Sequence, residues 1–122
     1  MNEIILVKGL VKYPITLDPS IWIIDDRKVE LSDYLTQVEG LAVKLGLFLS
    51  NAEPDPKASQ VICHRHGQPS VTLTHEEAKE AWMCFAKDGK PISAGGPALL
   101  YYADGRNKEK PIDHISYFEI VK

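Results

Sequence analysis

The stretch from Gly89 to Tyr102, GKPISAGGPALLYY, limits what this chain can fold into more than any other part of it. Three glycines and two prolines fall within nine residues, Gly89 to Pro97. Proline lacks the amide hydrogen a helix needs, and glycine loses the most conformational freedom on ordering, so no helix crosses this segment. Leu99 to Ala103 follows at once and reads as a strand. Gly95-Gly96 could approach a phosphate, but a phosphate loop opens onto a helix N-terminus, and here a strand comes next. The stretch is a turn that feeds a sheet.

The rest of the chain has the same punctuation. Glu3 to Val11 reads as a strand, with Gly9 marking a bulge or a close backbone approach. Ile15 to Leu17 is short and extended, and Asp18-Pro19-Ser20 is turn chemistry. Ile21 to Ile24 reads as a second β run with Trp22 half buried. Leu31 to Leu35 looks like a helix start that Ser32 or Asp33 can cap, with Gly40 as its break. Leu41, Leu45, Phe48 and Leu49 have helical spacing, although Gly46 weakens it. Asn51 to Lys57 is a loop. Val61 to His66 and Val71 to Leu73 make a hairpin around Gly67-Gln68-Pro69.

Thr74 to Lys87 carries the clearest helix signals. Thr74 and Glu77 have the capping-box spacing, and Ala78, Ala81, Trp82 and Phe85 fall on one stripe. Gly89 would supply the left-handed residue past its end. A loop from Asp104 to Pro111, with Arg106, Lys108 and Lys110 solvated, precedes a last strand from Ile115 to Val121. Strands and helices mix without a βαβα rhythm. The expected class is therefore α+β: one domain over residues 1–122, with a mixed sheet or partial barrel and two or three short helices.

At 122 residues the chain can bury a core without metal or disulfide. Fourteen basic against 17 acidic residues give a net charge of −3, so nothing electrostatic invites nucleic acid or an anionic membrane. The start, Met1-Asn2-Glu3, lacks a signal peptide's basic region, and no apolar run approaches a bilayer span. The cytoplasm is the expected compartment. Cys63 and Cys84, without CxxC spacing, read as buried reduced thiols.

Candidate chemistry centres on Cys63-His64-Arg65-His66. On a strand His64 and His66 share one face, two legs of a metal site that would need a third ligand such as His75 or His114. Arg65 beside Cys63 could lower the thiol pKa. The plainer reading is a half-exposed strand. Asp25 and Asp26 could serve acid–base work, but before Arg27-Lys28 they read as a solvated turn. Trp22, Tyr34, Trp82, Tyr101 and Tyr102 belong mostly to core or interface, with Tyr101 and Tyr102 on opposite strand faces.

The segment LTHEEAKEAWMCFAKDGKPISAGGPALLYYADGR resembles the C-terminal part of the molybdopterin-binding domain of sulfite oxidase-type oxidoreductases. Leu73, Ala78, Asp88, Gly89, Pro91, Gly95, Gly96 and Pro97 carry the match. Gly9, Val11, Pro14 and Leu17 resemble that family's opening strand, Val29 to Leu35 its "PL.dLL" helix start, and PIDHISYFEIV its closing strand, with His114 where an aromatic is usual. The resemblance implies that fold. In the larger enzymes a segment with the molybdenum-ligating cysteine and basic pterin contacts lies between the first two blocks. Here only Ile21 to Lys28 fills that space, without Cys or His, so no catalytic residue is carried over. ITLDPSIWIIDDRKVELSDYL is also similar to small bacterial proteins labelled peptidyl-prolyl isomerase.

These readings lead to a non-catalytic module that binds a small molecule or a protein, takes no cofactor and holds no metal. Self-association is open. The alternative is an enzyme, either a residual molybdopterin-dependent oxidoreductase or a prolyl isomerase.

Overall fold

A computed structural model describes residues 4–122. Ten strands are arranged in two five-stranded sheets with a few short helical turns between them, an α+β architecture without a closed barrel among the described residues. The first sheet has the order β2 (Ile15–Leu17), β1 (Ile5–Gly9), β10 (Ile115–Val121), β5 (Gln60–Arg65), β6 (Val71–Thr74). It is mixed, because β1 and β10 run parallel while the other pairs are antiparallel. The second sheet is antiparallel. Its path is β3 (Val29–Glu30), β4 (Leu41–Lys44), β7 (Trp82–Lys87), β8 (Lys90–Pro91), and β9 (Leu99–Tyr101) also pairs with β7.

The main core lies between the sheets. Ile5, Val7, Val61, Leu73 and Phe118 of the first meet Val43, Met83, Phe85 and Leu100 of the second. A smaller cluster covers the second sheet's other face, where Leu31, Leu35 and Val38 close over Ala42, Trp82, Cys84 and Tyr101. The second sheet is thus buried on both sides, while the first has one open face.

The glycine at position 9 is required by close approach. Its φ is +100°, and a Cβ there would meet the Ile120 backbone nitrogen at 2.8 Å. The expected hairpin of β5 and β6 forms, pairing Val61 with Leu73. The last strand forms as read. β1 begins at Ile5; Met1 to Glu3, on which the first-strand and signal-peptide readings fell, lie outside the described residues.

Four elements differ from expectation. The helix over Thr74 to Lys87 is cut short: α2 spans His75–Glu80 and β7 starts at Trp82. The capping box holds, with Glu77 N–H donating to Thr74 Oγ1 at 3.0 Å and Thr74 N–H to Glu77 Oε1 at 2.8 Å. Past Ala81 the apolar residues serve both faces of a central strand, so no alternation betrays it. Gly89 does not end a helix; with Asp88 (φ +51°) it turns β7 into β8 at φ +73°.

Leu41 to Leu49 is not a helix either. It is β4, then a single α-turn, α1 (Gly46–Leu49), continued as a 3₁₀ turn at Ser50–Ala52. Gly46 passes so near α2 that a Cβ would meet Lys79 O at 2.5 Å. Ile21 to Ile24, expected as a strand, lies in a 3₁₀ turn, Pro19–Ile24. Asp18 caps it by accepting from Ser20 N–H at 3.0 Å and Ser20 Oγ at 2.6 Å, with Pro19 presetting the first turn. The Leu31–Asp33 turn likewise forms as 3₁₀ and takes no side-chain cap from Ser32 or Asp33.

Candidate functional site

The capped 3₁₀ turn has three residues per turn, so Pro19 and Trp22 point one way and Ile21 and Ile24 the other. Trp22 is fully buried rather than half buried. It stacks on Phe48 with centroids 5.0 Å apart and meets Phe85 edge-on at 5.9 Å. That anchor leaves the isoleucines outside: Ile21 is 58% exposed, Ile23 48% and Ile24 80%. A turn with one inward aromatic has no room for three more apolar side chains. Ile23 also lines a cleft of about 250 Å³ with Pro19, Phe85 and Pro91. Turn and cleft together present neighbouring apolar side chains to solvent, the kind of surface that marks interaction sites when it is contiguous.

At the end of this turn Asp25 is clamped. Arg27 donates Nε to its Oδ1 at 3.0 Å and Nη2 to its Oδ2 at 2.8 Å, which lowers the Asp25 pKa to about 2. Asp26 is exposed. The pair is a turn, as read.

The Cys63 to His66 tetrad divides between two faces. Cys63 is fully buried; burial pushes its thiol up to about 12, against the opposing pull of Arg65. The expectation that Arg65 activates this thiol is therefore corrected: desolvation outweighs the charge. Cys84 is also buried and raised by desolvation. His64 Nε2 lies 2.9 Å from Glu119 Oε1, and its ring stacks on Tyr117 at 4.2 Å with Lys8 Nζ on the same tyrosine at 4.3 Å. His66 is exposed past the end of β5, its N–H donating to His114 O at 2.7 Å. Among the described residues no group of three or more His, Cys, Asp or Glu is placed to hold a metal ion.

Arg65 is spent elsewhere. Nη2 donates to Asp113 Oδ1 at 2.5 Å, Nε to Asp113 O at 2.8 Å and Nη1 to Pro69 O at 3.2 Å. His114 Nδ1 is buried and sits 3.0 Å from the same Asp113 oxygen, at ion-pair distance but out of line for a hydrogen bond. His114 has φ +55° and donates its N–H to Gly95 O at 2.7 Å. The Gly95-Gly96-Pro97 turn is thereby tied to the end of β5. His114 and Arg65 hold Asp113 below the usual carboxylate pKa. This junction was not found in the sequence; the left-handed His in place of an aromatic was its one trace. His75 opens α2 beside a separate cleft with Gly46, Pro54 and Lys79, and its Nε2 is buried without a partner.

Arg106 is not a free loop cation. It pairs with Glu77 and Asp104 and lies 3.6 Å over the Tyr102 ring. Tyr101 is buried and Tyr102 half-buried, on opposite faces as expected.

The cofactor implied by the sequence resemblance can be set against these residues. It would need a thiolate ligand and basic groups for its phosphate. Both cysteines are core residues with raised pKa values, and Arg27, Arg65 and Arg106, the chain's three arginines, are each paired with carboxylates. Neither cysteine is placed to supply that thiolate. No helix among the described residues is long and apolar enough to cross a membrane.

No family model matches the chain, and no curated protein matches it significantly. Among solved structures it is similar to the sulfane dehydrogenase SoxCD from Paracoccus pantotrophus, with a TM-score of 0.63 and 14% identity over 97% of this chain. The match spans 38% of that longer chain. At this identity the likeness is one of fold alone, an α+β architecture of two sheets with few helical turns.

Proposed function

We propose that this chain is a non-catalytic binding module built on a molybdopterin-binding type of fold, working in the cytoplasm without molybdopterin and docking a protein through its isoleucine turn. One observation carries the reading. The Pro19–Ile24 turn is held rigidly by the Asp18 cap and the Trp22 anchor, yet presents Ile21, Ile23 and Ile24 to solvent beside an apolar cleft. An ordered apolar surface of this kind costs solubility unless something covers it. It stands in the stretch where the larger enzymes carry their ligating cysteine. The buried thiols and paired arginines support the non-catalytic side of the reading. The net charge of −3 argues against nucleic acid and anionic lipid as partners.

Affinity capture from source cells with wild type and I21S/I24S in parallel, then reconstitution with the purified captured protein, tests this. The two serines replace exposed side chains, so the fold and its thermal midpoint stay unchanged. The expected result is a partner that binds wild type and loses about a hundredfold in affinity for the variant, since burying each exposed isoleucine is worth roughly 1.5 kcal/mol. Equal binding by both forms would overturn the proposal.

A further inference from the structure

Aspartate is followed by glycine at two places in this chain, Asp88-Gly89 and Asp104-Gly105. Such a pair can rearrange with no co-reactant but water. The glycine main-chain nitrogen attacks the aspartate side-chain carboxyl carbon, the carboxyl loses an oxygen as water, and a succinimide ring closes. Water then opens the ring at either carbonyl, so no atom is gained or lost overall. One opening restores aspartate. The other gives isoaspartate, whose main chain runs through the former side-chain carboxyl. Glycine favours the attack because it has no Cβ in the way and a permissive backbone. In a folded chain the reaction depends on whether carboxyl and nitrogen are free to meet.

The fold treats the two pairs differently. Asp104 is tied twice to Arg106, Oδ1 accepting from its main-chain N–H at 3.0 Å and Oδ2 from Nη1 at 2.9 Å. Those bonds hold its carboxyl below the usual pKa, in the ionised form that is the poorer target for attack. Gly105 N–H is committed to Tyr102 O at 2.9 Å. Asp88 and Gly89, by contrast, are both exposed and make the two-residue turn between β7 and β8. The Asp88 carboxylate joins no ion pair among the described residues. Gly89 N–H donates to no main-chain carbonyl among them, and a Cβ on Gly89 would meet nothing within 4 Å.

We propose that Asp88 is a site of spontaneous isoaspartate formation in the folded protein and that Asp104 is not. The product adds a methylene to the main chain of a two-residue turn. Only two registered pairs hold β8, Ala86 with Pro91 and Lys87 with Lys90, so the longer turn breaks that register. It also frees Ile92 N–H, which donates to Phe85 O at 3.2 Å. Gly89 and Pro91 line the cleft beside Ile23, so the modification reshapes that cleft. Its effect on binding rests on the binding-module reading; the chemistry does not.

The test keeps the full chain for several weeks at neutral pH and physiological temperature, folded and, in parallel, unfolded in guanidinium. Peptide mapping with electron-transfer fragmentation, which gives isoaspartate its own ions, measures product at each site. Unfolded, the two sites should react alike. Folding should slow Asp88 less than about fivefold and Asp104 more than that, fivefold being the worth of one net hydrogen bond. R106Q should raise Asp104 toward Asp88. D88E should abolish product at position 88, because the longer side chain closes its ring far more slowly. Circular dichroism checks that both variants fold, and the wild-type comparison stands without them. Amide exchange at Ile92 should speed up in aged wild type and not in aged D88E.

Asp88 slowed beyond that mark by folding, or Asp104 not slowed to it, would overturn the proposal. Product at Asp88 with Ile92 still protected would overturn the effect on the hairpin. If product forms at Asp88 while the captured partner ignores I21S/I24S, the binding-module reading falls and the modification site stands.

Discussion

Replacing Arg65 with methionine removes three hydrogen bonds from the junction between β5 and the segment ahead of β10, and keeps the aliphatic stem. Two of those bonds hold Asp113 and one holds Pro69 O. The arginine side chain is 14% exposed and the Asp113 side chain 37%. Breaking a fully buried pair costs about 3–5 kcal/mol, and an exposed one under about 1. This pair lies between, and solvent screening at Asp113 lowers the figure, so R65M should cost about 2.5 kcal/mol. For a chain of this length that is a fall in Tm of roughly 10 °C. Urea unfolding of wild type, R65M, D113N and the double variant should give a coupling of about 1–1.5 kcal/mol. Asp113 has a folded pKa below its ordinary 3.8, so its contribution is complete above that value and disappears as pH falls through the folded pKa. The coupling should therefore vanish in acid, once the pH has fallen through the lowered folded pKa of Asp113. A coupling under about 0.5 kcal/mol at neutral pH would refute the claim that this pair fastens the Gly95 turn to the sheet.

Other outcomes follow from the same geometry. With Cys63 pushed up to about 12 and Cys84 also raised, Ellman's reagent at pH 8 should find no fast-reacting thiol in the folded protein and two in guanidinium. One fast native thiol would contradict the burial argument. G9A should destabilise by roughly 3 kcal/mol, since both the φ of +100° and the Ile120 backbone oppose it. G67A, with φ +69° and open space around the new methyl, should cost only about 1 kcal/mol, so equal losses would remove close approach as the cause. T74A should lose about 1 kcal/mol by removing the cap of α2, and T74S should restore most of it, both read from urea midpoints.

Local signals in the sequence were reliable where one physical cause dominated. The capping box at Thr74 and Glu77, the β5–β6 hairpin and the close approach at Gly9 depend on neighbouring residues or on glycine alone. The misread elements depend on partners far along the chain. Trp82 to Ala86 shows helical spacing because both sheet faces want apolar residues, and only the pairing with β4 and β9 makes it a strand. Leu41 to Lys44 became a strand for the same reason. Ile21 to Ile24 has strand composition, but the Asp18 cap and the Trp22 anchor decide its geometry. The candidate patch was hidden for that reason: a strand reading buries alternate residues, and the turn exposes three of four. The Arg65–Asp113–His114 junction joins residues 48 positions apart and left no local motif.

On the proposal above, the chain binds a protein through the isoleucine turn and carries no pterin chemistry. Native mass spectrometry of the untagged chain from its own cells tests both parts at once. The predicted result is a complex of the chain with a partner protein, absent for I21S/I24S, and no molybdenum–pterin increment on the wild-type chain. A molybdopterin increment on that chain, or a partner complex that I21S/I24S retains, would contradict it.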